Sequence, residues 1–329
     1  MGKYKEENKH FVGIAPDCHP CIINQTVSAA RFANLTEEQT RRIVAIAEAG
    51  LAESKTTPLL AQHVIRRVAD AIIRECGESQ DFDIYAEVKE KSNQLALLYA
   101  ERFQREIDSS ESPFETGLQI AAAGNIIDFG AKSHGDLDLD RELNSLNDVP
   151  FDCYDIEPFK EALAGASTLL YICDNSGEIV FDMLFIKELQ RAYPQLQIVA
   201  AVRDRPIIND ATLVDAQIVG LDRLVTTISS GSAYPGTVLP ETSETFQEMF
   251  TGTDVILSKG QGNFETLLPL ASEQIFFLLR IKCDYMAGLS KVKKDSLVLM
   301  QGSGIKKSHS PLASSSSTRS SSGSNTCCI

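Results

Sequence analysis

Four apolar runs each end on polar residues that can handle phosphate or a metal ion. Leu169-Leu170-Tyr171-Ile172-Cys173 stops at Asp174-Asn175, and the run 198–202 stops at Arg203. The run 224–228 stops at Ser229-Ser230, and the run 255–258 stops at Lys259. Short apolar runs bounded by turn residues are the pattern of buried strands. In an open parallel sheet, ligands bind beyond the carboxyl ends of the strands. Parallel pairing of these four runs would bring an acid, an amide, two cations and two hydroxyls to one rim.

Each loop has its own chemistry. Asp174-Asn175-Ser176-Gly177-Glu178 falls where a strand turns into a helix. A carboxylate and an amide carbonyl are hard oxygen donors suited to Mg2+ or Mn2+. The helix start also offers backbone N–H groups to an anion. Asp, Asn and Ser are equally the favoured N-cap residues, so an ordinary cap accounts for the same stretch. In the segment from Arg203 to Asp210, a guanidinium able to clamp phosphate precedes a loop shaped by Pro206. Asp210 can complete an oxygen set around an ion held by Asp174 and Asn175. Lys259-Gly260-Gln261-Gly262-Asn263 adds a point charge and two glycines that let backbone approach a phosphate. It is not a Walker loop, because the strand leads directly into the lysine. Ser229-Ser230-Gly231 opens a hydroxyl-rich loop.

The catalytic candidates are therefore Asp174, Glu178, Arg203 and Lys259, with Glu178 orienting water or acting as acid–base. The metal candidates are Asp174, Asn175 and Asp210. Candidates for holding substrate or phosphate are Ser229, Gly231, Gly260, Gly262 and Asn263. Asn125 and Asp128, from the stretch Asn125-Ile126-Ile127-Asp128-Phe129-Gly130, join them.

Other chemistries find less support. The five histidines are scattered, Ser176 lacks a nucleophile-elbow context, and no Gly-x-Gly-x-x-Gly occurs. Cys18-His19-Pro20-Cys21 has zinc or thiol-redox spacing, but a closed zinc site needs two further ligands brought by the fold. A structural, a metal and a redox role all stay open for it. Its distance in sequence from the rim favours an effect on stability over one on chemistry. Cys173 and Cys283 end apolar runs and read as small core residues.

The formal net charge is −14, which disfavours nucleic acid and anionic membrane as partners. No apolar run approaches the roughly 20 residues of a membrane span. The N-terminus has no apolar signal core. The expectation is a soluble, cytoplasmic protein acting on a small molecule.

Three regions must position these residues. Residues 1–150 read as a helical N-terminal subdomain. Thr36-Glu37-Glu38-Gln39 forms a capping box, with Ile43, Ala47, Gly50 and Leu51 on one face of the helix it opens. A helix starting at Pro58 follows. The longest helix, from Asp83 to Ile107, turns Val88, Leu95, Leu98 and Tyr99 inward. Ser112-Pro113-Phe114-Glu115 is a second capping box. Residues 151–302 read as a catalytic domain in which strands alternate with helices, implying parallel strands covered on both faces. Residues 303–329 are Ser-rich and read as a disordered tail.

Taken in order, the Cys-His-Pro-Cys start, Gly124 to Gly130, Asp174 to Glu178, Arg203 to Asp210, Gly231 to Gly236 and Lys259 to Glu265 carry a family resemblance. The chain resembles the damage-control phosphatases, catalogued as domain of unknown function 89, and specifically their stand-alone branch. The resemblance runs from Cys18 to about Met300. It implies a three-layer α/β/α sandwich with a mainly parallel sheet and a helical N-terminal subdomain. It also implies a metal-dependent phosphatase, with Asp174, Asn175 and Asp210 on the ion and Arg203 and Lys259 near the phosphate. The ion would be Mn2+, Mg2+, Co2+ or Ni2+, and the substrates sugar phosphates or phosphopantetheine-type compounds. Attack by an activated water and an aspartyl-phosphate on Asp174 both remain open routes. Two other functions compete: an S-adenosylmethionine-dependent carboxyl methyltransferase, and a non-catalytic sensor of phosphorylated metabolites.

Overall fold

The computed structural model describes residues 14–124 and 149–304. The expectations for Asn125, Asp128 and nearly all of the Ser-rich tail therefore lie outside the described residues.

The α/β fold is as expected. Among the described residues seven strands form one sheet: β1 (Phe151–Tyr154), β2 (Thr168–Ile172), β3 (Gln197–Val202), β4 (Thr226–Ser229), β5 (Val255–Lys259), β6 (Ile275–Arg280) and β7 (Leu297–Gln301). Their order is β1-β7-β6-β5-β2-β3-β4. Strands β6, β5, β2, β3 and β4 are mutually parallel, while β7 runs antiparallel to β6 and carries β1 parallel to itself. The four runs that end on polar residues are thus consecutive parallel neighbours, β5-β2-β3-β4, and their carboxyl ends share a rim.

Alternation along each strand divides the sheet's burial between two faces. Leu169 and Tyr171 of β2, Ala200 and Val202 of β3, and Leu257 of β5 join one core. Leu170 and Ile172 of β2, Ala201 of β3, and Ile256 of β5 join the other. The first face is covered by α4 (Ala86–Ser109), α5 (Pro113–Ala123), α6 (Ile156–Gly165) and α7 (Glu178–Ala192). The second packs against α10 (Glu244–Gly252), α11 (Gln261–Leu267) and α12 (Asp284–Ser290). The short helices α8 (Leu213–Val219) and α9 (Leu221–Leu224) link β3 to β4.

A third core is built by α1 (His19–Phe32), α2 (Glu37–Glu53) and α3 (Ala61–Cys76), and it takes in Ile207 and Ile208 from the loop after β3. Thr36 and Gln39 close the expected capping box on α2, and its buried residues are Ile43, Ala47, Gly50 and Leu51.

Three local expectations fail. The helix expected from Pro58 begins at Ala61, with Leu60 as its N-cap. Ser112 makes no side-chain cap, and Pro113 alone marks the start of α5. On α4, Leu98 is 77% exposed. The buried face there carries Lys89, Ser92, Asn93, Ala96, Phe103 and Ile107. A polar stripe faces inward because its groups find partners in the loops at the rim.

Candidate active site

β2 enters the site with its last peptide still in the sheet: Cys173 N donates to Ala201 O. The chain then bends at Gly177, which has φ +79° and precedes the first turn of α7. Beside it, the loop after β3 folds back. Ala211 N donates to Asp174 O at 2.8 Å, and Ser176 N donates to Asn209 O at 2.9 Å. An isolated bridge pairs Asn175 with Asp210. Backbone hydrogen bonds therefore bring together Asp174, Asn175 and Asp210, the three residues expected to bind metal, from loops over thirty positions apart.

The site is buried and crowded with acid. Asp174 is 8% and Asp210 5% exposed. Burial pushes the Asp174 carboxyl well up, and the neighbouring Glu178 and Asp210 carboxylates push it further. Burial also raises Asp210, although Arg203 works against it. Oxygen donors crowded in this way are relieved by a cation. Asn175 Nδ2 donates to Asp174 Oδ2 at 2.8 Å, which leaves its amide oxygen as the third donor. Among the described residues no group of three or more His, Cys, Asp or Glu is placed to hold a metal ion, so the candidate donor set is the two carboxylates together with an amide. Ser176 Oγ is buried in the same loop with no hydrogen-bond partner among the described residues. Buried orphan oxygens of this kind call for an explanation, and a bound ligand is one. The set fits a hard divalent ion.

Arg203 and Lys259 stand just behind these acids. Arg203, 1% exposed, donates from Nε to Asp210 Oδ2 at 2.7 Å and from Nη2 to Asn263 Oδ1 at 2.8 Å. Asn263 in turn donates to Lys259 O and Cys173 O, tying β5 to β2. Lys259 is fully buried and donates to Glu178 and Asp182 at 2.6 Å each and to Ala121 O at 2.9 Å. Burial alone would lower its pKa, but the two carboxylates outweigh burial and raise it. Both cations set the charge and shape of the acid cluster.

Gly260 is where the fold most needs glycine. At φ +76° it passes so close to Asp174 that a Cβ would collide with the carboxylate. Gly262 lies against Gly236. Ser229 ends β4 and donates to Asp204 Oδ1, while its oxygen accepts from Gly231 N, so this pair shapes the neighbouring loop.

Several residues of the site escaped sequence reasoning. Asp182 accepts from Lys259 and from Tyr171 Oη at 2.7 Å, and burial raises its carboxyl to about 6. The signal was an acid four residues after Glu178 within the apolar run 179–186 of the helix. Thr237 donates to Asn263 Oδ1 at 2.8 Å. Lys282, half-buried just past the end of β6, adds a cation whose charge lowers the Asp174 pKa. Cys18 lies close to Glu265, Cys283 and Tyr285, although these are far off in sequence. Its thiol is pushed up to about 12, first by burial and then by Glu265. Cys283 is a half-buried N-cap of α12, accepting from Met286 N, where a core role was expected.

Comparison with known proteins agrees with this architecture. The model of the damage-control phosphatase ARMT1-like domain matches residues 14–298. The chain belongs to this family. A damage-control phosphatase of Pyrococcus horikoshii is 32% identical, over 87% of this chain and 96% of that protein. An uncharacterized protein of Methanocaldococcus jannaschii is 33% identical, over 84% and 91% respectively. The crystal structure of a DUF89 family protein from Pyrococcus horikoshii matches with a TM-score of 0.79 at 32% identity, covering 88% of this chain and 99% of that one. The resemblance read from the ordered motifs is therefore correct. No described helix is long and apolar enough to cross a membrane.

Proposed function

We propose that the chain is a divalent-metal-dependent phosphomonoesterase acting on small phosphorylated metabolites, with sugar phosphates and phosphopantetheine-type compounds as the leading classes. One observation carries this reading: Asp174, Asn175 and Asp210 meet at the carboxyl ends of β2 and β3 in an excess of buried acid. Mn2+, Mg2+, Co2+ or Ni2+ held there would act as a Lewis acid on a phosphoryl oxygen.

The chain's own residues do the rest. Arg203 holds Asp210 in place, and Lys259 holds Glu178 beside the acid cluster. Glu178, through Asn175 at 3.3 Å, is placed to orient water or exchange a proton near the donor set. The half-buried Lys282 supports charge developing on phosphoryl oxygens. The Gly260 turn lets the β5 loop reach the same point.

Release of phosphate from p-nitrophenyl phosphate with Mn2+, Co2+, Ni2+ or Mg2+, abolished by EDTA, is the expected result. Binding of S-adenosylmethionine without phosphate release would point to a methyltransferase. Binding of sugar phosphates without turnover would point to a sensor. A screen of phosphorylated metabolites then ranks the substrates.

A further inference from the structure

Nothing in the acid cluster itself explains why the inner face of α4 is polar. Asn93, the eighth residue of that helix, is completely buried. Its Oδ1 accepts from Gly177 N at 2.7 Å, and its Nδ2 donates to Asp215 Oδ1 at 3.0 Å. Asp215 Oδ2 in turn accepts from Thr212 N at 2.9 Å and from Thr212 Oγ1 at 2.8 Å, holding the start of α8. Lys89, one turn before Asn93, pairs with Asp215 at 2.8 Å and with Asp83 at 2.9 Å. Lys89 and Asp215 are each 3% exposed.

These contacts fall on the two loops that carry the donor set. Gly177 lies three residues after Asp174, and Thr212 lies two residues after Asp210. Gly177 holds an unusual backbone, φ +79° and ψ −51°, and its N–H is aimed at Asn93. A single amide therefore fixes the bend after Asp174 with its oxygen and the segment after Asp210 with its nitrogen. An amide suits this task because it is both donor and acceptor on one rigid plane. An apolar residue at position 93 would leave Gly177 N buried and unpaired, and a buried N–H without a partner is costly.

We infer that Asn93 is a positioning residue for the metal centre, with Lys89 and Asp215 as its supports, and that α4 sets the spacing between Asp174 and Asp210. This inference rests on the proposed metal centre. Residues behind the ligands commonly change metal affinity by roughly 10–100-fold when removed.

The test is Mn2+ affinity, measured by titration on the full chain, set beside the melting temperature. Asn93→Ala is expected to weaken Mn2+ binding by roughly tenfold or more. Phe103→Leu, on the same helix but packed against Phe181 in the core, serves as control. It is expected to lower the melting temperature while leaving Mn2+ affinity within about twofold, because it touches neither loop. The exchange Asn93→Asp with Asp215→Asn restores a donor–acceptor pair and an acceptor for Gly177, so it should recover most of the affinity. Should Asn93→Ala not fold, Asn93→Ser carries the same expectation. An Asn93 variant that binds Mn2+ as tightly as the wild type, with only its melting temperature lowered, overturns the inference and leaves the metal centre standing. Wild-type protein that takes up none of Mn2+, Mg2+, Co2+ and Ni2+ overturns the metal centre and the inference together.

Discussion

The acids and cations at the rim are strongly interdependent, and their removal should have unequal effects. Asp174→Ala removes a proposed ligand and should lower metal-dependent phosphate release by on the order of a thousandfold. Full activity in that variant would exclude Asp174 from the chemistry. Lys259→Met should instead act on the fold, because it strands Glu178 and Asp182 as buried acids. Breaking such a buried arrangement costs about 3–5 kcal/mol, readable by urea unfolding. Glu265 tests a different environment. It accepts from Gln62 and Gln261, and burial pushes its carboxyl up to about 7 from an ordinary 4.5. A carboxyl raised in the folded state holds its proton after the unfolded chain has lost it. Stability from this group is therefore full below pH 4.5 and falls as pH rises to about 7. Glu265→Gln should flatten that slope and melt higher than the wild type at pH 8. The places of Asp174, Arg203, Ser229 and Lys259 along the rim were legible because each stands at or just past the end of a strand. Asp182, Asn93 and Thr237 were not, since a buried polar side chain on a helix or in a loop looks like any other until its partners arrive from distant segments.

Elements place these groups by where they end and how closely they pass. β2, β3 and β5 were legible because a largely buried parallel strand is a continuous apolar run with a polar stop, and β4, a half-buried strand at the edge opposite β1, was legible from the apolar run 224–228 and its stop at Ser229. β1 was not, because Phe151–Tyr154 alternates between half-buried and exposed and lies at the sheet's edge. The inner face of α4 was misread for a related reason. Leu98 looked like a core residue by type, but the helix turns toward acids and backbone N–H groups that only the tertiary fold supplies. The turn between β5 and α11 gives the sharpest test at this scale. Gly260→Ala adds a methyl group where Asp174 already sits, in a conformation that favours glycine. Phosphate release should fall more than a hundredfold, whereas Gly165→Ala, at a helix end with open space around it, should leave it unchanged.

Across the whole molecule, the helices of the first 124 residues do two jobs. α1 to α3 build their own core and grip Ile207 and Ile208 of the Asp210 loop. α4 and α5 instead cover the sheet and reach the back of the Asp174 loop. The helical part and the sheet therefore meet at the acid cluster, and an ion bound there should stabilise both. At 100 times its dissociation constant, Mn2+ should add about 2.7 kcal/mol to unfolding, and EDTA should remove it. The division into helices first and alternating strands and helices later was legible in the periodicities. The embrace of the Asp174 and Asp210 loops by the helices was not, since it depends on contacts between residues more than eighty positions apart. The most direct test is the anomalous scattering of Mn2+ in crystals of the protein. A single peak bounded by Asp174, Asn175 and Asp210, lost in Asp174→Ala, is the expected result. A peak elsewhere, or one that survives that substitution, would contradict the proposed metal centre.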